Sequence, residues 1–227
     1  LQVSASAAPF GDHLRQWRQR RRLSQLDLAM DADISARHLS FVETGRANPS
    51  REMVLKLTAR LDVPLRERNT LLVAAGYAPM YRESRLDDPA LAGARQAVEL
   101  ILKSHEPYPA LAVDRHWNMV AANRMLPLLL AGIDPALLQA PVNVLRLSLH
   151  PQGLAPKIIN LQQWRNHIFE RLRQQIAATA DTGLVELLEE LQGIPLPDHA
   201  GDPQDVQMEG EHIGIVVPLK FRTPAGV

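Results

Sequence analysis

The sequence predicts two folded units of different class: an all-α unit of five short helices over residues 10–76, and an α+β unit over residues 91–227. Three observations carry that prediction. Apolar residues recur at three- and four-residue steps through the first stretch, as one face of successive helices requires. Ala110–Val113 and His116–Ala121 read instead as two short strands about a turn at Asp114 and Arg115. Between the units, residues 77–90 combine prolines and charges without sustained periodicity and read as a linker, and residues 1–9 read as a tail.

A chain of 227 residues that is 46% apolar is long enough for two cores. It has no cysteine, which excludes disulfide scaffolds, thiolate metal sites and cysteine nucleophiles. The N-terminus LQVSASAAPF lacks the basic flank and apolar block of a secretory signal, so a cytoplasmic protein without a membrane anchor is expected. The formal net charge of zero hides an asymmetry. Residues 10–68 hold twelve Arg and Lys against eight Asp and Glu, and the rest of the chain holds thirteen against seventeen. A basic N-terminal unit suits phosphate contacts, although an ordinary solvated helix surface carries similar charge.

Phe10, Leu14 and Trp17 mark the inner face of a first helix. Arg20, Arg21 and Arg22 follow at its C-terminal end, where the helix dipole favours cations. Ser24 offers an N-cap for a second helix ending near Asp31. The short reversal after it needs a residue with positive φ, and Asp33 stands where that conformation is required. Ser35 caps a third helix from Ala36 to about Thr44, stopped by Gly45, with Leu39 and Val42 inward and Ala36, Arg37, Ser40 and Phe41 outward. A fourth helix opens at Pro49-Ser50 and buries Met53, Val54, Leu57 and Leu61. A fifth starts at Pro64 and carries Leu65, Leu71, Leu72 and Val73 inward, up to Gly76.

The string LRQWRQRRRLSQLDLAMDADISARHLSFVETGRANPS resembles the lambda-repressor-like, Cro-like (XRE) helix-turn-helix family across residues 10–76. The likeness rests on Ser24-Gln25, Leu28-Ala29, the turn at Asp33, Ser35, and Glu43-x-Gly45-Arg46 followed by Pro49-Ser50. Asp33 departs from the family's usual glycine. The resemblance implies a third helix lying in the major groove of double-stranded operator DNA. Ala36, Arg37 and Phe41 then meet base edges, and Gln25, Ser35, Arg46 and Asn48 meet phosphates. Arg37 reads a guanine in this arrangement, or touches phosphate alone. The resemblance also implies a structural ion pair between Arg18 and Glu43. Because one such module reads few bases, a homodimer on a two-fold site is expected.

In the second unit a helix over 91–104 is expected to bury Ala94, Val98, Ile101 and Leu102. In the second strand Trp117, Met119 and Ala121 share one face, and Asn123 offers an N-cap for a helix through Leu130. Leu161, Trp164, Ile168, Leu172 and Ile176 form the stripe of a long helix, and Leu184, Leu187, Leu188 and Leu191 form another. Ile213, Ile215, Val217, Leu219 and Phe221 alternate as a half-buried strand, with Pro218 at an edge or bulge. Thr223-Pro224-Ala225-Gly226 reads as a turn toward closing strands that the sequence does not reach.

Strand, turn, strand and capped helix resembles the opening of a PAS-like fold. YPALAVDRHWNMVAANR, VNVLRLSLHPQGLAPKIINLQQWRNH and VPLKFRTPAGV are similar to the MmyB-like ligand-binding domain of bacterial regulators, over residues 91–227. That resemblance implies a small apolar, fatty-acid-like effector. Trp117, Met119 and Met125 are candidates to line its pocket, or are plain core. Asn143, Arg146 and His150, which interrupt an apolar segment, are candidates to orient a head group. Arg146, read on a strand, alternatively points to solvent, and Asn143 alternatively caps a turn.

No HExxH helix, GxSxG elbow or glycine-rich phosphate loop is present, and Glu186, Glu189 and Glu190 share a solvated helix face. No catalytic residue, metal site or cofactor is therefore expected. Two functional classes stay open, a ligand-responsive DNA-binding regulator and a DNA-binding protein whose C-terminal unit contacts another protein without any small molecule.

Overall fold

The computed structural model describes residues 9–82, 88–195 and 219–222. The chain divides into two compact units, Leu1–Arg85 and Leu86–Val227.

The first unit is five helices: α1 (Phe10–Arg20), α2 (Gln25–Asp31), α3 (Ala36–Glu43), α4 (Arg51–Arg60) and α5 (Leu65–Ala74). The expected caps form. The Ser24 hydroxyl accepts from Asp27 N while the Asp27 carboxylate accepts from Ser24 N, a reciprocal capping box. Ser35 accepts from His38 N, and Ser50 from Met53 N. Asp33 takes φ 50° in the α2–α3 turn, and Gly45 takes φ 72° after α3. Arg22 and Asp62 also adopt positive φ, which the sequence did not single out. Leu14, Leu28, Leu39, Leu57, Leu61, Leu71 and Leu72 fill the core. A Cβ on Gly11 would collide with the Glu43 carbonyl, so α1 and α3 approach as closely as they do because position 11 is bare. Leu65 and Val73 were expected inside but are 55% and 56% exposed. Leu71 and Leu72 occupy the buried face of α5; Val73 points away from it, and Leu65 is the first residue of the helix, at its open end.

The second unit begins with a 3₁₀ turn at Pro89–Leu91 and α6 (Ala92–Ser104). An antiparallel hairpin of β1 (Leu111–Val113) and β2 (Met119–Ala122) follows, with an irregularity between Ala112 and Val113. Then come α7 (Leu126–Leu129), α8 (Val144–Leu149), α9 (Leu161–Thr179) and α10 (Thr182–Gly193). Leu145, Leu147, Leu149, Leu161, Ile168, Leu172, Leu184, Leu187 and Leu191 form its core, as the stripes on the last two helices predict.

Four local expectations are corrected. Trp117 lies in a turn at φ 66° rather than in the strand, because the Asp114 carboxylate accepts from His116 N, Asn118 N and Asn118 Nδ2 and draws residues 114–118 into a wide turn. Asn123 is a tie rather than the N-cap of α7, which has no side-chain cap. It is buried, accepts from Ala110 N and Met125 N, and donates to the Leu102 and Tyr108 carbonyls, so it ties α6, the hairpin and α7 together. The segment around Arg146 is helix α8, not strand. On α6 only Leu102 is buried; Ala94 and Ile101 are exposed and Val98 is half-buried. Ile213, Ile215, Val217 and Pro218, and the turn after Arg222, lie outside the described residues. Of the expected last strand, Phe221 is seen bridging antiparallel to Ile158.

Candidate nucleic-acid interface and ligand-binding domain

Glu43 organises the first unit's candidate interface from beneath. Its carboxylate is 2% exposed and accepts from Arg18 Nε at 2.7 Å, Arg18 Nη2 at 3.0 Å and Gln25 Nε2 at 2.7 Å. Burial pushes the Glu43 carboxyl up, but the hydrogen bonds from Arg18 and Gln25 and the charges of Arg18 and Arg15 outweigh it and hold the group below its ordinary value. The Arg18 guanidinium is correspondingly held above its own. The expected Arg18–Glu43 pair is thus present, and it fixes α3 against α1. Gln25, expected at phosphate, has its side-chain amide turned onto Glu43.

Above this anchor, Arg37 and Arg46 are exposed and flank one aromatic ring. The Arg37 guanidinium carbon lies 5.4 Å from the Phe41 ring centroid, and that of Arg46 lies 5.9 Å away. The Phe41 carbonyl accepts from Arg46 N and Ala47 N, so one residue orients two cations through its face and its backbone. Ala36 is half-buried at the N-terminus of α3, and Ser35 and Asn48 are exposed at the edges of the same surface. Arg21, by contrast, is spent on structure: it donates to the Leu61 and Asp62 carbonyls and lies over Trp17. No run of spacing announces that latch, since its acceptors are backbone atoms forty residues on.

In the second unit the candidate ligand residues separate. Trp117 and Met119 are half-buried against the core. Trp117 donates its indole N–H to Gln175 Oε1 at 3.0 Å, and Met125 is half-buried just before α7. Asn143 is the N-cap of α8, accepting from Leu145 N and Arg146 N and donating to the His116 carbonyl. His150 Nδ1 accepts from Gln152 N. Arg146 forms a two-pronged pair with Glu190 at 2.6 and 2.7 Å, which raises the Arg146 pKa and removes Glu190 from the merely solvated face assigned to it. Each of the three residues expected to orient a head group thus has a hydrogen-bond partner within the fold. Because both side chains of the Arg146–Glu190 pair are nearly half exposed, Arg146→Ala is expected to cost less than about 1 kcal/mol in urea denaturation and to lose even that at high salt.

The sequence did not single out the depression that the structure builds beside Trp117. It has a volume of about 330 Å³ and is lined by Val113, Asp114, Arg115, Trp117, Arg171, Gln174 and Gln175. Next to it, His116 Nε2 meets Asp181 Oδ2 at 2.8 Å; burial raises the Asp181 pKa, but His116, Gly183 N and Arg115 outweigh that and the net shift is down. The indole N–H of Trp164 is the buried side-chain donor without a hydrogen-bond partner among the described residues.

Comparison with known proteins places these two units. Residues 94–226 match the model of the MmyB-like transcription regulator ligand binding domain, more than half of the chain. The chain belongs to the MmyB-like transcription regulators. Residues 9–71 of this family member match a helix-turn-helix domain. An uncharacterized HTH-type transcriptional regulator of Bacillus subtilis, RghRB, is 36% identical over 77 residues, which is 34% of this chain and 53% of that protein. The chain thus spans about half the length of that relative. The restriction-modification controller protein C.AhdI from Aeromonas hydrophila is 35% identical over 29% of this chain and 98% of its own, with a TM-score of 0.26. The clp gene regulator ClgR from Corynebacterium glutamicum is 22% identical over 44% and 92%, also with a TM-score of 0.26. Membership of the MmyB-like family accords with a regulator rather than an enzyme. Among the described residues no helix is long and apolar enough to cross a membrane.

Proposed function

We propose that this MmyB-like family member is a sequence-specific transcription regulator that binds a two-fold operator as a homodimer and responds to a small apolar, fatty-acid-like effector. The observation that carries the reading is the exposed Arg37–Phe41–Arg46 cluster on and just after α3, mounted on the buried Glu43 anchor. Arg37, one residue into α3, is the base reader. Arg46, beyond its C-terminus, is a phosphate contact. Phe41 presents the pair and, with Ala36, an apolar edge to a thymine methyl.

The contrast between the two arginines tests this. Arg37→Ala is expected to lose about 1 to 3 kcal/mol at one base pair per half-site and to relax preference there. Arg46→Ala is expected to weaken every duplex alike and to make the slope of log affinity against log salt shallower by about 0.9. Identical profiles for the two variants in fluorescence anisotropy would remove the division of labour.

For the effector, support comes from family membership and from the Trp164 N–H, which has no partner among the described residues and which an acceptor on a bound molecule would satisfy. A carboxylate head group fits Arg171 beside Trp117, with Arg115 shared with Asp181 at 4.0 Å, better than it fits Arg146, which Glu190 holds by two short hydrogen bonds. Effector control requires that this molecule bind the DNA-competent and incompetent states unequally. A second reading, a C-terminal unit that docks a protein instead, is favoured by Leu100, Ile101 and Tyr108, which stand 68%, 58% and 73% exposed. Organic extraction and mass spectrometry of the purified chain separate the two: a stoichiometric apolar acid supports the first, and its absence with a stable protein complex supports the second.

A further inference from the structure

The loop that carries Arg46 and Asn48 is held at both ends. Its start is fixed by the Phe41 carbonyl, which accepts from Arg46 N at 2.8 Å and Ala47 N at 3.1 Å. Its end is fixed by a residue distant in sequence: the Tyr77 hydroxyl donates to the Pro49 carbonyl at 2.9 Å. Pro49 is buried and directly precedes the α4 cap Ser50, so its carbonyl has no helical partner to fall back on.

Tyr77 is itself placed by the end of α5. Gly76 turns the chain at φ 84°, and Tyr77 N donates back to the Leu72 carbonyl, closing the helix. Four residues on, Asn69 of α5 clasps the segment with its whole amide: Oδ1 accepts from Met80 N and Tyr81 N, and Nδ2 donates to the Tyr81 carbonyl. Residues 77–81, through which the chain leaves the first unit, are thus bonded to the loop beside the DNA-facing helix.

We infer that Tyr77 is a positioning residue for the phosphate-contacting loop 46–50, and that DNA binding and the conformation of segment 77–81 are coupled through its hydroxyl. The inference rests on the DNA-binding reading above and adds to it the residue that sets the loop's geometry. Coupling of this kind is reciprocal: what loosens the segment weakens DNA, and DNA tightens the segment.

The test uses the full chain and two duplexes, one selected by the wild type from a random-sequence pool and one scrambled from it. Tyr77→Phe keeps the ring and removes the hydroxyl, and active concentration is fixed by stoichiometric titration. The expected result is a loss of about fivefold in affinity on both duplexes, the size of one hydrogen bond, with a salt slope shallower by up to about 0.9. Thr58→Ser, a change in the buried core of α4 at a hydroxyl bonded to the Val54 and Leu55 carbonyls rather than to the loop, serves as the stability control; it is expected to lower Tm without altering the salt slope. In the wild type, the Met80 and Tyr81 amides are expected to exchange more slowly with DNA bound. Tyr77→Phe binding as the wild type does, a slope change equally present in Thr58→Ser, or exchange at Met80 and Tyr81 indifferent to DNA overturns the inference. A pool from which the wild type enriches nothing overturns the DNA-binding reading, and this inference with it.

Discussion

Glu43→Ala is expected to destabilise the first unit by about 3 to 5 kcal/mol, the usual cost of leaving one member of a buried ion pair behind. The Arg18 guanidinium, with a side chain 11% exposed, loses its carboxylate, and Gln25 loses its acceptor. Against a typical domain stability of about 5 to 15 kcal/mol that is a large fraction. Exchange protection of the core amides of α2 and α3 measures it. Replacing both members, Arg18→Met with Glu43→Leu, is expected to recover much of the loss, because the cost lies in the orphaned charge rather than in a missing attraction. The pH dependence follows from the direction of the shift. The Glu43 carboxyl is held below its ordinary value in the folded chain, so its contribution is present in full above the unfolded-state pKa and is lost as pH falls through the folded one. Glu43→Ala is expected to flatten that acid limb. A cost below about 1 kcal/mol would mean that the pair is solvated, as surface pairs are.

Leu172→Ala is expected to cost the second unit about 2 to 5 kcal/mol, as truncation of a wholly buried leucine does when its surroundings relax only in part. Leu172 is 0% exposed on α9, in the same buried cluster as Leu145 and Leu149 of α8 and Leu184, Leu187 and Leu191 of α10. The first unit has its own core, built round Leu14, Leu39 and Leu57, so its protected amides are expected to keep their exchange rates in this variant. Equal loss of protection in α1–α5 would contradict two separate cores.

Most of the first unit was legible in the sequence because its decisive interactions are local. Ser24, Ser35 and Ser50 cap through backbone groups three residues away, and Asp33 takes the positive φ that the short reversal requires. The Arg18–Glu43 pair was foreseen through the family resemblance and not through spacing. The second unit was less legible where neighbours remote in sequence decide. Leu145, Leu147 and Leu149 alternate as a strand would, yet all three are buried in a six-residue helix, and Asn143 is the cap that makes it one. Arg146 looked free to meet a ligand because Glu190 stands 44 residues away. The stripe on α6 looked like core, but Ala94 and Ile101 are exposed and only Leu102 is buried. Gln25 was assigned by its place at the start of α2, and its amide turned inward because a buried carboxylate needed a third donor.

The central claim is that α3 reads DNA sequence, and selection of duplexes from a random pool by the full chain, repeated with Arg37→Ala, tests it most directly. The account predicts a two-fold motif enriched by the wild type, with preference lost at one position per half-site in the variant and kept elsewhere. A motif unchanged by Arg37→Ala, or no motif from the wild type, would contradict it.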